Sequence, residues 1–79
     1  MSAKRCNTLV YNFGGFVAQV WAAPGTMEPF VEAIRKETKK RYVDWHSSGG
    51  YGIIKCIGNN AEVYDAVVRL APNFKAKIV

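Results

Sequence analysis

Two glycine pairs divide the chain and limit the folds that it can adopt. Gly14-Gly15 and Gly49-Gly50 each stand between stretches in which apolar and polar residues alternate. Alternation with a period of two is typical of β-strands, and glycine pairs readily adopt the positive φ angles of a two-residue hairpin turn. The sequence therefore predicts two β-hairpins. Their four strands are expected over residues 6–13, 16–22, 42–46 and 51–57.

The register of each predicted hairpin follows from its glycine pair. In the second hairpin, Asp44 is expected opposite Lys55 and His46 opposite Ile53. The other face of that hairpin then carries four core residues, which are Val43, Trp45, Ile54 and Cys56. In the first hairpin, one face is expected to hold Leu9, Tyr11, Phe13, Phe16, Ala18 and Val20, and the opposite face Thr8, Val10, Asn12, Val17, Gln19 and Trp21.

Two amphipathic helices follow the hairpins. The first is predicted over residues 27–39, with Thr26 as N-cap, Pro29 in the first turn and an apolar stripe of Met27, Phe30, Val31 and Ile34. The second is predicted between Asn59 and Pro72, with Asn59 and Glu62 in a capping arrangement and a stripe of Val63, Ala66, Val67 and Leu70. Residues 74–79 alternate again and are predicted to form a fifth strand.

These elements predict one α+β domain over residues 1–79 in the order ββαββαβ. The expected architecture is a five-stranded antiparallel sheet with both helices on one face. The sequence leaves the strand order open, and a ferredoxin-like βαββαβ arrangement with an extra strand is one option.

Positive charge is concentrated at the end of the first predicted helix. The chain carries 11 basic and 6 acidic residues, a net charge of +5. The predicted partner-binding residues, which include most of this excess, are Arg35, Lys36, Lys39, Lys40 and Arg41. Such a cluster attracts phosphates or an acidic protein surface, although cations also favour a solvated helix C-terminus through the helix dipole.

The sheet face opposite the helices is the second candidate surface. It is expected to combine the ring-bearing residues Trp21, Tyr42 and His46 with cations. The cations are Lys55, Lys75 and Lys77. Single-stranded nucleic acid needs rings that stack on bases and cations that hold phosphates. The same aromatic residues would also suit a homodimer or another protein partner.

Catalytic and metal-binding patterns are weak. Cys6, Asp44 and His46 suggest a nucleophilic triad only if they share a sheet face, and no cleft or oxyanion hole is indicated. The two cysteines have no zinc-ligand spacing, and the glycine pairs lack nucleotide-binding spacing. We therefore expect a non-enzymatic protein with no cofactor and no metal.

No apolar run approaches the roughly 18 residues of a membrane span, so a cytoplasmic location is expected.

Four functions are considered, and the first of them is the one that we expect from the sequence. The first is a small inhibitor of the phage or mobile-element type, similar in kind to anti-CRISPR proteins, that docks its basic surface on a larger protein or nucleoprotein complex in the host cytoplasm. The alternative is a domain that binds single-stranded nucleic acid directly through the aromatic and lysine-bearing sheet face. A homodimeric interaction module and, last, a small hydrolase or transferase complete the set.

Overall fold

The fold is described by a computed structural model that covers residues 14–40, 42–58 and 60–79. Within them, four strands alternate with two α-helices and one 3-10 helix. In chain order the elements are β1 (Gly15–Trp21), α1 (Met27–Thr38), β2 (Val43–Ser48), β3 (Tyr51–Cys56), α2 (Asn60–Leu70), the 3-10 helix (Ala71–Phe74) and β4 (Lys77–Ile78).

The strands form one antiparallel sheet in the order β2-β3-β1-β4. β1 and β3 lie at its centre, and β2 and β4 are its edges. The connectivity of the described elements is βαββαβ, which is the ferredoxin-like arrangement. Both helices pack on the face that carries Ala18, Val20 and Ile54, and within the described ranges no helix lies on the opposite face.

The predicted five-stranded sheet of order ββαββαβ is wrong, because the described residues form four strands. The predicted strand over residues 6–13 lies outside the described residues. Its hairpin register placed Leu9 beside Val20, but β3 pairs with one edge of β1 there and Ile78 of β4 occupies the other. Since a strand has only two hydrogen-bonding edges, β1 has no free edge at that position.

The second predicted hairpin is confirmed in register. Asp44 lies opposite Lys55, and His46 lies opposite Ile53. Gly49 and Gly50 form the turn, with φ angles of 58° and 86° that glycine adopts without steric cost. Of the four expected core residues, Val43, Ile54 and Cys56 are buried, and Trp45 packs against the core from a partly buried position.

A β-bulge changes the facing of residues in β1. Phe16 pairs with Lys55 while Ala18 pairs with Ile54, so Val17 is one extra residue on the β1 side. The expectation that Phe16 shares a face with Ala18 is therefore wrong. Phe16 lies on the face opposite the helices and is 60% exposed, whereas Val17, expected there, is buried in the core.

Asn60, at the start of α2, holds this bulge from the helix side. Its Nδ2 donates a hydrogen bond to the Phe16 carbonyl oxygen at 3.3 Å. A Cβ atom on Gly15 would come within 2.6 Å of the same Nδ2, so a residue without a side chain fits best beside it. The capping role predicted for Asn59 lies outside the described residues.

The core forms where the apolar stripes of the two helices meet the sheet. Phe30, Val31 and Ile34 of α1 are fully buried, as are Val63 and Val67 of α2, which confirms both predicted stripes at these positions. The Phe30 ring packs against Phe74, with ring centroids 5.3 Å apart. The N-cap predicted at Thr26 is present in position but its side chain makes no capping hydrogen bond.

The C-terminal segment forms less strand than expected. Residues 71–74 form a 3-10 helix in which Pro72 restricts the backbone. The predicted fifth strand is therefore shortened to Lys77 and Ile78. The Val79 backbone N–H donates to the Gln19 carbonyl oxygen at 2.8 Å and extends the pairing. Lys75 ends the 3-10 helix with a left-handed backbone, so it lies outside the sheet.

Lys39 occupies a left-handed position, with φ 59°, at the C-terminal end of α1. An L-residue is disfavoured there by about 1–2 kcal/mol, whereas glycine is not. We predict that Lys39→Gly raises the free energy of unfolding by about 0.5–1 kcal/mol after the greater entropy of unfolded glycine is subtracted. Urea denaturation followed by circular dichroism measures this change.

Lys36→Gly is the matched control, because it removes the same charge from the interior of α1. Glycine in a helix interior costs about 1 kcal/mol, so this variant should be less stable than the parent. Equal effects of the two substitutions would contradict the left-handed geometry at Lys39.

Candidate functional site

The sheet face opposite the helices, here called the open face, is organised in cross-strand pairs. Phe16 and Trp21 of β1 both project from this face. Their neighbours on the flanking strands are Lys55 of β3 and Lys77 of β4, respectively. Each exposed aromatic residue of β1 therefore stands beside a lysine. The central row of the face is uncharged on β1 and β3, where Gln19 pairs with Ile53.

Three aromatic residues on the two central strands are exposed. Phe16 is 60% exposed, Trp21 44% and Tyr51 37%. Of these, only Trp21 was predicted from the sequence as a binding residue. Tyr51 was detectable because it alternates with Ile53 and Lys55, whereas Phe16 was hidden by the bulge, for which the sequence gives no clear signal.

The other predicted nucleic-acid-binding residues are distributed unevenly. His46 and Lys55 lie on the open face, and Tyr42 precedes β2 in the same alternation, with its carbonyl oxygen accepting a hydrogen bond from the Ile57 N–H at 3.1 Å. Lys77 is in β4. Lys75 is separate from them, at the end of the 3-10 helix.

Asp44, which was expected on the exposed face, is 6% exposed because Arg35 reaches it from α1. Arg35 Nη2 donates to Asp44 Oδ1 at 3.2 Å, and Nε donates to the Val43 carbonyl oxygen at 2.8 Å. The Trp45 backbone N–H donates to the same carboxylate oxygen at 2.8 Å. The Arg35 guanidinium thus fastens α1 to the outer edge of the sheet.

Basic residues in the last turn of α1 and directly after it surround a shallow cleft of about 300 Å³, here called the basic cleft. Its lining residues are Glu32, Arg35, Lys36, Lys39 and Lys40. The structure therefore brings four of the five predicted partner-binding residues together, while Arg41 lies outside the described residues.

Part of this charge is compensated within the protein. Arg35 pairs with Glu32 and Asp44, and Lys40 Nζ lies 3.6 Å from Glu62 Oε1 on α2. Among the described residues, Lys36 and Lys39 form no ion pair. These two lysines are consequently the ones in the basic cleft that are most available to an external anion.

A larger cleft of about 460 Å³, here called the aromatic cleft, lies at the end of the sheet beside the segment that joins β1 to α1. Its ring-bearing walls are Trp21, Trp45 and Tyr51. Met27 packs closely on Gly52 there, since a Cβ on that glycine would lie 2.6 Å from the Met27 methyl carbon. Glu28 is the single charged residue among the described residues of the lining. Trp21 and Tyr51 belong to both the cleft and the open face.

The residues considered for catalysis are Cys6, Asp44 and His46. Cys6 lies outside the described residues, Asp44 is bound to Arg35, and His46 Nδ1 lies 3.4 Å from the Ser47 carbonyl oxygen. Burial raises the pKa of the Cys56 thiol, which disfavours the reactive thiolate. Residues 14–40, 42–58 and 60–79 contain no cluster of three metal-ligating side chains.

No helix among the described residues has the length and apolar character that a membrane crossing requires.

Comparison with known proteins adds no relative. No protein-family model, curated protein or solved structure matches the sequence.

The Arg35 contacts predict a strong dependence on the guanidinium group. Lysine has one ammonium group and cannot hold the Val43 carbonyl and the Asp44 carboxylate in the same fork geometry. We predict that Arg35→Lys lowers the free energy of unfolding by about 1–2 kcal/mol, which is in the range of one lost charge-assisted hydrogen bond. Chemical denaturation checks the value. Lys36→Arg, one position along the same helix, should change stability by less than about 0.5 kcal/mol.

Proposed function

We propose that this protein binds single-stranded nucleic acid across the open face of its sheet. The observation that carries this proposal is the pairing of each exposed β1 aromatic residue with a lysine on the neighbouring strand, Phe16 with Lys55 and Trp21 with Lys77. A ring stacks on a base, and the adjacent ammonium group holds the phosphate that follows it.

The dimensions of the face support more than one base-binding position. Phe16 and Trp21 are separated by about 16 Å along β1, at 3.3 Å per residue, less the shortening caused by the bulge. Tyr51 adds a third ring on β3, the adjacent strand. Four-stranded sheets that bind RNA stack two or three bases on aromatic residues of the exposed face.

The mode of binding that this chemistry favours is tolerant of sequence. Every base offers a face for stacking, and lysine acts on phosphate as a point charge. The proposal involves no catalytic step, cofactor or metal. We also propose that the protein acts in the cytoplasm, as expected from the sequence, because single-stranded nucleic acid is accessible there.

The first test is fluorescence anisotropy with labelled single- and double-stranded DNA and RNA. We predict that Phe16→Ala and Trp21→Ala each weaken single-strand binding about 5- to 100-fold, because stacking contributes about 1–3 kcal/mol per base. Tyr64→Ala is the matched control, since Tyr64 is also an exposed aromatic residue, at 45%, but lies on α2. Equal affinities for the parent and both β1 variants would disprove the open-face site.

Salt dependence provides a second readout of the same surface. Each phosphate neutralised on a single strand contributes about −0.7 to the slope of log affinity against log salt. Lys77→Gln should therefore reduce the steepness of the slope by about 0.7, whereas Lys36→Gln on α1 should leave it unchanged. A loss of slope only in the α1 variant would move the phosphate contacts to the basic cleft.

The basic cleft favours a second candidate function. Lys36 and Lys39, which form no ion pair with described residues, could receive carboxylates of an acidic surface on a larger protein or nucleoprotein complex. This is the inhibitor hypothesis, for a small protein of the phage or mobile-element type similar in kind to anti-CRISPR proteins. Arg35 is a poor residue for testing it, because its loss affects the fold.

For this second function we predict that Lys36→Glu combined with Lys39→Glu abolishes co-purification with the partner complex from the native host, while leaving single-strand binding within about threefold. Charge reversal at exposed positions replaces attraction by repulsion with little effect on folding. Lys75→Glu, on an exposed lysine outside the cleft, is the control. Retention of the partner by the double variant would rule out the basic cleft as its docking site.

A further inference from the structure

We propose that the aromatic cleft receives a single unpaired guanine base of the strand bound on the open face. This inference rests on the proposed function and adds a base preference to it. Trp21 and Tyr51, which project from the open face, also line the cleft at this end of the sheet. Met27, Trp45 and Gly52 line it from the helix side, so a strand on the open face enters the cleft over the end of the sheet.

The size and walls of the cleft suit a planar aromatic ligand. Its volume of about 460 Å³ falls in the range of roughly 300–1,000 Å³ for small-molecule sites. Its lining residues include two tryptophans and a tyrosine, side chains on which a purine can stack. Met27 packs closely on Gly52 and contributes an apolar side chain to the same lining.

Glu28 gives the cleft its chemical preference. All 6 acidic residues of the chain are among the described residues. Five of them form ion pairs there, namely Glu32, Glu37, Asp44, Glu62 and Asp65. Glu28 forms none with a described residue, and it is the one carboxylate that lines the aromatic cleft. An unpaired carboxylate offers only acceptor positions.

Guanine is the base that matches such an acceptor. Its Watson–Crick edge presents two adjacent donors, N1–H and the N2 amino group, which a carboxylate can accept together. Adenine and cytosine place a ring-nitrogen acceptor beside their single amino group, and uracil and thymine place a carbonyl oxygen on each side of their N3–H donor. A carboxylate repels those neighbouring acceptors, so it discriminates in favour of guanine.

The surrounding charge favours a nucleotide over a cationic protein side chain. Lys77 is the cross-strand neighbour of Trp21 and lies at the edge of the open face. A phosphate attached to a base in the cleft would meet this ammonium group favourably. A lysine- or arginine-rich peptide would instead meet repulsion from Lys77 and from the net charge of +5.

The test compares fluorescently labelled deca-thymidine with two oligonucleotides of the same length that carry one guanine at the 5′ or the 3′ end. We expect one of the guanine oligonucleotides to bind at least fivefold more tightly than deca-thymidine. Glu28→Gln should remove this difference while leaving the affinity for deca-thymidine unchanged. Inosine in place of guanine, which lacks the N2 amino group, should recover only part of the gain. Asp65→Asn, at an exposed acid of α2, is the matched control and should keep the full preference.

The outcomes separate this inference from the proposed function. Tight binding of deca-thymidine with no gain from either guanine overturns the guanine site and leaves the open-face function intact. Failure of all three oligonucleotides to bind overturns the open-face function itself. A guanine preference that survives Glu28→Gln shows that another residue reads the base. Saturable quenching of tryptophan fluorescence by arginine methyl ester, but not by guanosine monophosphate, would assign the cleft to a cationic side chain instead.

Discussion

Burial of one sheet face under α1 and α2 is the constraint on which the rest of the structure depends. Fully buried residues of both helices pack on Val20 and Ile54 of the two central strands. A chain of this size buries only about 60% of the surface exposed when it is unfolded. Both helices cover the same face of the sheet, and among the described residues Phe16, Trp21 and Tyr51 of the other face remain exposed.

The bulge in β1 determines which side chains the open face presents. Without it, Phe16 would alternate with Ala18 and point into the core. The extra residue, Val17, moves the ring to the side of Lys55 and itself fills the core. Asn60 supports this geometry through its hydrogen bond to the Phe16 carbonyl. One irregularity in a central strand therefore adds an aromatic residue to the open face beside a cation.

Local patterns predicted much of this arrangement. The glycine pair at residues 49–50 gave the correct β2–β3 register, and apolar spacing gave both helix stripes, because periodicity and turn chemistry act over a few residues. The strand count was wrong, since the pairing of β1 depends on the distant β3 and β4. Phe16 was misplaced because a bulge leaves no mark in the alternation. The contacts of Arg35 with Val43 and Asp44 could not be predicted, because they arise only when α1 packs at the sheet edge.

The most direct measurement is a two-dimensional amide NMR titration of the protein with a single-stranded oligonucleotide at near-physiological salt. We expect the largest shifts on Phe16, Trp21, Tyr51 and Lys55, on the two central strands, with little change in α1. Large shifts confined to Lys36 and Lys39 at the end of α1, or no shifts at all, would contradict binding at the open face.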